Sequence, residues 1–258
     1  MRPVFAALAA ALALFGGIAG TAHAQEEAAR PPHQEWSFNG VFGTYDRAAL
    51  QRGFQVYQQV CSTCHAVKHL YFRDLAEIGY SEDAVKGIAA QVQVTDGPND
   101  SGEMYQRPGR PSDPIPGPFP NDQAARAANN GALPPDLSLI TKAREGGEDY
   151  IYALLTGFKD APAGFKMNPN MTYNEYFAGH QIAMPPPLIP GQVKYADNPP
   201  TKEATVPEMA HDVVSFLAWA AEPTLEERHR TGFKVILFLI VATGLLYAAK
   251  RKIWSRIH

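Results

Sequence analysis

Cys61 and Cys64 are the only cysteines of the chain, and His65 follows the second directly. Cys-x-x-Cys-His is the spacing at which two thiols add to the vinyl groups of one haem while the adjacent imidazole reaches the iron. Cys61-Ser62-Thr63-Cys64-His65 thus reads as covalent tether and axial ligand together. Zinc held by Cys61, Cys64, His65 and His69 is the weaker reading, because adjacent Cys and His ligands crowd a tetrahedron and the usual loop-separated ligand pairs are missing. A dithiol redox pair would sit at a strand-to-helix junction of a βαβ unit, and no such pattern surrounds the motif. With both thiols committed there is no disulfide, so the haem itself must cross-link the core.

A low-spin electron carrier needs a second axial ligand, and a Met thioether raises the potential. Met104, Met167, Met171, Met184 and Met209 are the candidates, with His180 as a competitor. Met184 is favoured because Pro185-Pro186-Pro187 follow it, stiffening the backbone so that little entropy is lost on ligation. Met209 falls on the first turn of a helix, where Met usually fills core, and Met104 lies in a Pro-rich loop. Met167 and Met171 stay open as alternatives.

These residues need scaffolding. Asp46 is a good N-cap, and Leu50, Phe54, Tyr57 and Cys61 share one helical face, so a helix delivers the chain into the motif. Ser81-Glu82-Asp83 opens a shorter helix through about Gln91. Residues 95–122 hold seven prolines and four glycines, which predicts a long loop without helix or central strand. Pro134-Pro135-Asp136 leads into a predicted helix through Arg144; another runs from Glu148 to about Thr156 and stops at Gly157. Residues 158–202 read as loop. A last amphipathic helix starts in the capping box Thr205-Val206-Pro207-Glu208 and ends at Glu222-Pro223. The fold class is mainly α: a helical haem domain with long Pro/Gly-rich insertions.

The ends carry targeting signals. Residues 1–24 read as a secretory leader, with Arg2, an apolar run and the small-x-small site Ala22-His23-Ala24, so that the mature chain begins at Gln25; an uncleaved anchor is disfavoured by the Ala and Gly content. Residues 235–249 are uncharged, and 231–249, with Lys234 snorkelling, reach the length of a membrane crossing. Lys250, Arg251, Lys252 and Arg256 follow, which with the leader predicts a cytoplasmic tail of residues 250–258, although Arg228, Arg230 and Lys234 blur the charge rule. Residues 25–230 would form the periplasmic haem domain of a single-pass protein in a bacterial inner membrane. The net charge of −3, or −4 without Arg2, argues against nucleic acid and for a basic protein partner.

Longer strings carry a resemblance. Trp36-Ser37-Phe38-Asn39-Gly40, Gln51-Arg52-Gly53-Phe54-Gln55-Val56-Tyr57, Phe72-Arg73-Asp74-Leu75, residues 124–138, residues 143–150, Ile182-Ala183-Met184-Pro185-Pro186 and Trp219-Ala220-Ala221-Glu222-Pro223 are similar to the cytochrome c1 family, the haem subunit of quinol:cytochrome c oxidoreductase. The resemblance implies one haem c on Cys61 and Cys64, His65 and Met184 as axial ligands, Arg144 and Tyr150 on a haem propionate, and Asn129, Pro134 and Pro135 lining the pocket. It also implies a redox subunit without catalysis of its own, partnered by a cytochrome b subunit, an iron–sulfur subunit and a soluble c-type cytochrome. Some bacterial relatives carry an extra disulfide before the axial Met. Here residues 157–179 contain no cysteine, so Pro162, Pro169 and the aromatics Phe165, Tyr173, Tyr176 and Phe177 are expected to hold that loop. Two rivals stand against this reading. Another membrane-anchored monohaem cytochrome, donating to a terminal oxidase or reductase, would usually be smaller and N-terminally anchored; a haem peroxidase would need an open iron or a second motif.

Overall fold

The computed structural model describes residues 29–195 and 204–255. The leader, its cleavage site, Lys202 and Arg256 lie outside the described residues.

Helix α1 (Arg47–Gln59) begins where Asp46 accepts the backbone N–H groups of Ala48 and Ala49, and it buries Leu50, Gly53, Phe54, Val56 and Tyr57. After short 3₁₀ turns at Cys61–Thr63 and Phe72–Ile78, α2 (Glu82–Ala90) starts at Ser81, whose hydroxyl accepts from the Ala84 N–H. Then come α3 (Asp122–Ala128), α4 (Gly147–Thr156), α5 (Val206–Ala221) and α6 (Leu225–Trp254). Both halves of the expected capping box at Thr205 and Glu208 are formed at the head of α5.

α1 and α5 are the spine. They approach so closely that a Cβ on Gly53 would fall 2.0 Å from the Asp212 carbonyl oxygen. Around the crossing, Phe216 meets Phe54 at 5.5 Å and Tyr57 at 5.8 Å between ring centroids, and it meets Trp219 at 5.8 Å. Each fully buried ring of this size contributes about 1.5–3 kcal/mol by leaving water. Arg52 Nε and Nη2 donate to the two oxygens of the buried Asp212 at 2.8 and 2.9 Å, so the buried acid is paired with a cation in fork geometry.

Two expectations need correction. Residues 134–137 are irregular and 138–144 form turns and bends, with no helix: Pro134 and Pro135 offer no N–H, and the Leu137 N–H leaves the local chain to reach the Ala66 carbonyl at 2.8 Å. The Pro-rich stretch also contains more order than its composition suggests. Strands β1 (Gln93–Asp96) and β2 (Tyr105–Pro108) pair antiparallel across its start. Arg107 explains why, because it binds Asp113 through two nitrogens at 2.6 and 2.9 Å and also contacts Asp96, closing the hairpin and its following loop with one guanidinium. Between α4 and α5, β3 (Thr172–Tyr173) and β4 (Gln181–Ile182) form a second small pair.

Among the described residues α6 is the helix long and apolar enough to cross a membrane. At 1.5 Å per residue its 30 residues extend about 45 Å, the full thickness of a bilayer with its headgroups. The apolar side chains from Phe233 to Leu246 are exposed all along it, as a lipid-facing helix requires. It anchors the protein in a membrane.

Candidate functional site

α1 ends at Gln59, and the chain tightens into a 3₁₀ turn whose Cys61 carbonyl accepts the N–H groups of Cys64 at 3.1 Å and His65 at 2.8 Å. This turn puts both thiols and the imidazole on one short stretch of rigid backbone. Tyr57, buried on α1, donates its hydroxyl to the His65 carbonyl at 3.2 Å and so ties the turn to the spine. Burial pushes the Cys61 thiol up to about 12, with Cys64 adding to the effect.

The His65 ring is set by its other nitrogen. Nδ1 lies 2.8 Å from the Pro135 carbonyl, an acceptor only, so Nδ1–H is the donor and Nε2 is left with a lone pair free for a metal. Burial lowers the His65 pKa, outweighing the opposing pull of Pro135 and Asp136, and keeps the ring neutral. The 134–138 segment seats the chain beyond the motif as well. Asp136 accepts the Lys68 N–H at 3.0 Å, and the Ser138 hydroxyl accepts the His69 N–H at 3.1 Å. Pro135 was expected as pocket lining; Asp136 and Ser138 were missed, and their only sequence signal is that short polar residues follow a Pro-Pro pair. The donor set therefore fits a covalently held haem: two thiols in a fixed turn and one oriented, neutral imidazole nitrogen.

The methionines separate by exposure. Met209 is wholly buried in the α5 core, whereas Met104, Met167 and Met171 are exposed at 61%, 36% and 40%. Met184 is half-buried, two residues beyond β4, at the head of the proline run. His180, the competing ligand, is buried against Tyr173, with the rings stacked at 5.5 Å, and its Nδ1 lies 3.3 Å from the Asn174 carbonyl. Its ring is occupied by packing.

Of the remaining site residues, Arg144 is exposed and Tyr150, in α4, is half-buried. The two are close enough for the Arg144 charge to oppose the burial that raises the Tyr150 pKa. Asn129 donates its side-chain amide to the Ala125 carbonyl at 2.7 Å and finishes α3, while Pro134 is half-buried beside Pro135. The cysteine-free loop is held by Phe165 edge-on to Tyr173 at 5.2 Å, as expected of its aromatics. Asn174, missed in the sequence, does more: buried, it donates from Nδ2 to the Leu154 carbonyl at 2.8 Å and from its N–H to the His180 carbonyl at 3.0 Å. Asp149 also has a structural task, accepting from Trp36 Nε1 at 2.7 Å, the Gln34 N–H at 3.1 Å and His33 Nδ1 at 2.9 Å.

Comparison with known proteins agrees with this geometry. Residues 36–257 match the Cytochrome C1 family. Cytochrome c1 of Rhodospirillum rubrum is 48% identical over 253 residues, covering 92% of each chain. Mitochondrial cytochrome c1-2, heme protein, of Solanum tuberosum is 52% identical over 226 residues, 87% of this chain and 85% of that one. Cytochrome b/c1 of Bradyrhizobium diazoefficiens is 49% identical over 274 residues, and there the chain spans 39% of the relative's length. The Cys-x-x-Cys-His motif and these haem-protein relatives make haem c the cofactor, carried on Cys61 and Cys64. By sequence over most of its length and by the build of its haem turn, the chain belongs to the cytochrome c1 family, whose members are membrane-bound, haem-bearing electron carriers.

Proposed function

We propose that this protein is the haem subunit of a cytochrome bc complex, taking single electrons from an iron–sulfur subunit and passing them to a soluble c-type cytochrome beside a cytochrome b subunit. The observation that carries the reading is the His65 Nδ1–Pro135 bond, which leaves Nε2 alone to face a metal. A reversible one-electron iron couple is the chemistry the haem supplies when bound. His65 and Met184 would hold the iron, supplying one imidazole and one thioether for electron transfer. Arg144 and Tyr150 would bind a propionate, with Asn129, Pro134 and Pro135 along the pocket wall.

The chain divides in this reading into a leader (1–24), a periplasmic haem domain (25–230), an anchor (231–249) and a cytoplasmic tail (250–258). A soluble basic partner is favoured by the acids left open on the surface. Of the acids clustered at 96–103 and 145–149, Asp96 and Asp149 are spent on Arg107 and on the Trp36 segment, Glu148 is half-buried, and Asp100, Glu103 and Glu145 are exposed. Electron transfer to a basic cytochrome c should then slow as salt rises and the Debye length falls to about 10 Å at 0.1 M.

Purification from membranes in mild detergent tests the assignment. Copurification with a b-type cytochrome and an iron–sulfur protein, and reduction of the haem by quinol in that preparation, are expected. Isolation as a lone haem protein that donates directly to an oxidase would replace this reading with that of a separate anchored monohaem carrier.

A further inference from the structure

Where the haem domain meets its anchor, the loop of residues 38–40 and the first turn of α6 border a cavity of about 200 Å³, room for a small charged group and not only a single water. Its walls include Lys142, Glu148, Glu222, Arg228 and His229. Glu222 takes Lys142 at 2.8 Å on one oxygen and Arg228 on the other. Burial raises the Glu222 pKa, but the two cations outweigh it and hold the group below the usual carboxylate range. The trio therefore carries one surplus positive charge, and Glu148 adds a negative one to the same wall. His229 Nδ1 is buried and among the described residues has no hydrogen-bond partner, a state that a ligand would relieve.

The depth of this cavity identifies the kind of ligand. Arg228 and His229 stand about 3–5 Å above Thr231 along the helix, inside the headgroup layer that occupies about 5–7 Å on each side of a bilayer. On the same loop Val41 and Phe42 are 64% and 83% exposed, and the Phe42 ring meets Phe233 of α6 at 6.4 Å. An exposed aromatic pair at this level belongs at the boundary of headgroups and acyl chains.

We propose that the cavity binds the headgroup of an ethanolamine phospholipid from the leaflet facing the haem domain, its phosphate against Lys142 and Arg228 and its ammonium against Glu148 and His229 Nδ1. A primary ammonium brings three donors for those acceptors, a choline none. An anionic glycerol headgroup would leave Glu148 facing no positive charge. The proposal rests on the membrane reading of α6 and is independent of the electron-transfer route.

The test places the full-length haem protein in nanodiscs of phosphatidylethanolamine or phosphatidylcholine. Native mass spectrometry reads the lipid retained on release, and haem absorbance reports integrity. One retained phosphatidylethanolamine per chain is expected, with about tenfold or greater loss in Glu148→Gln and His229→Leu from the hydrogen bond each removes. Equal retention of the two lipids by the unmodified protein overturns the proposal, and so does undiminished retention in both variants. In the assembled membrane complex, a benzophenone side chain in place of Asn39 is expected to label lipid; labelling of a neighbouring polypeptide alone also overturns it.

Discussion

The His65 segment hangs from the α1–α5 helix pair, whereas Met184 follows a two-residue strand in a long loop. On the first side, buried rings and a helix crossing without room for a methyl group hold the geometry. On the second, the work falls to Asn174, the Phe165–Tyr173–His180 ring cluster and the prolines after Met184. Dense helix packing fails as a unit, because interiors packed like crystals do not deform gradually. A loop held by a few polar bonds can lose its ligand and leave the rest folded. Changes on the His side should therefore cost the whole protein, and changes on the Met side should cost redox properties first.

Gly53→Val should break the His side outright. The added carbon falls 2.0 Å from the Asp212 carbonyl oxygen and 2.8 Å from the Phe216 Cβ, so α1 and α5 must separate. Haem-stained protein in membranes is expected to vanish. Gly87→Ala in α2, where a Cβ meets nothing within 4 Å, should raise stability by about 0.5–1 kcal/mol. Equal yields of the two variants would remove the claim that this crossing supports the haem turn. Arg52→Met is next: it strands the buried Asp212 carboxylate and should cost about 3–5 kcal/mol, read as a lower denaturation midpoint of the holo-protein. Adding Asp212→Leu should recover most of that loss, since an apolar pair replaces an ion pair at little cost.

Legibility in the sequence follows the same division. The caps at Asp46, Ser81 and Thr205 are local signals read by the backbone two or three residues away, and all three start the helices they announce. The 134–144 segment was misjudged because the Leu137 N–H bonds Ala66, far away in sequence, and no local rule sees that partner. The β1–β2 hairpin was hidden for a similar reason: Arg107 gathers Asp96 and Asp113 from both flanks, an attraction that composition alone does not show. The haem motif was plain because covalent chemistry fixes its spacing. The proposal of Met184 as second ligand rests on its prolines and the family resemblance alone, since a thioether in a loop has no periodicity to mark it.

On the Met side, Met184→Leu should leave the haem attached, because the thioethers do not involve it. The potential is expected to fall by about 0.1 V or more, equivalent to about 2.3 kcal/mol per 0.1 V for one electron. Redox titration decides, and an unchanged potential would move the ligand role to Met171 or His180. Asn174→Ala should be milder. It deletes the bond to the Leu154 carbonyl and costs about 1–3 kcal/mol locally. If Met184 is the second ligand, binding of carbon monoxide to the reduced haem should appear in a fraction of this variant before any loss of global stability, because loosening the loop would free its sulfur from the iron. If stability falls first, the Met side is as tightly coupled to the spine as the His side, and the contrast drawn here fails.

The smallest effect concerns residues 33–36, which bridge α4 and α5. His33, Gln34 and Trp36 all bind Asp149 beside Tyr150, and Trp36 stacks on His211 of α5 at 4.7 Å. The Asp149 hydrogen bond and charge raise the His33 pKa above its ordinary 6.5. A raised folded pKa means that the stabilisation is complete below the unfolded value and fades as pH climbs through the folded one. His33 is exposed, so the gain is screened, and the other two bonds to Asp149 do not depend on the histidine's charge. The expected outcome is a modest rise in amide exchange at Gln34 and in indole exchange at Trp36 as pH climbs above the ordinary histidine value, beyond the intrinsic base-catalysed increase. His33→Ala should lack that excess and exchange at the high-pH level throughout. An identical pH profile in the two proteins would show that Gln34 and Trp36 hold the segment on α4 without help from the histidine.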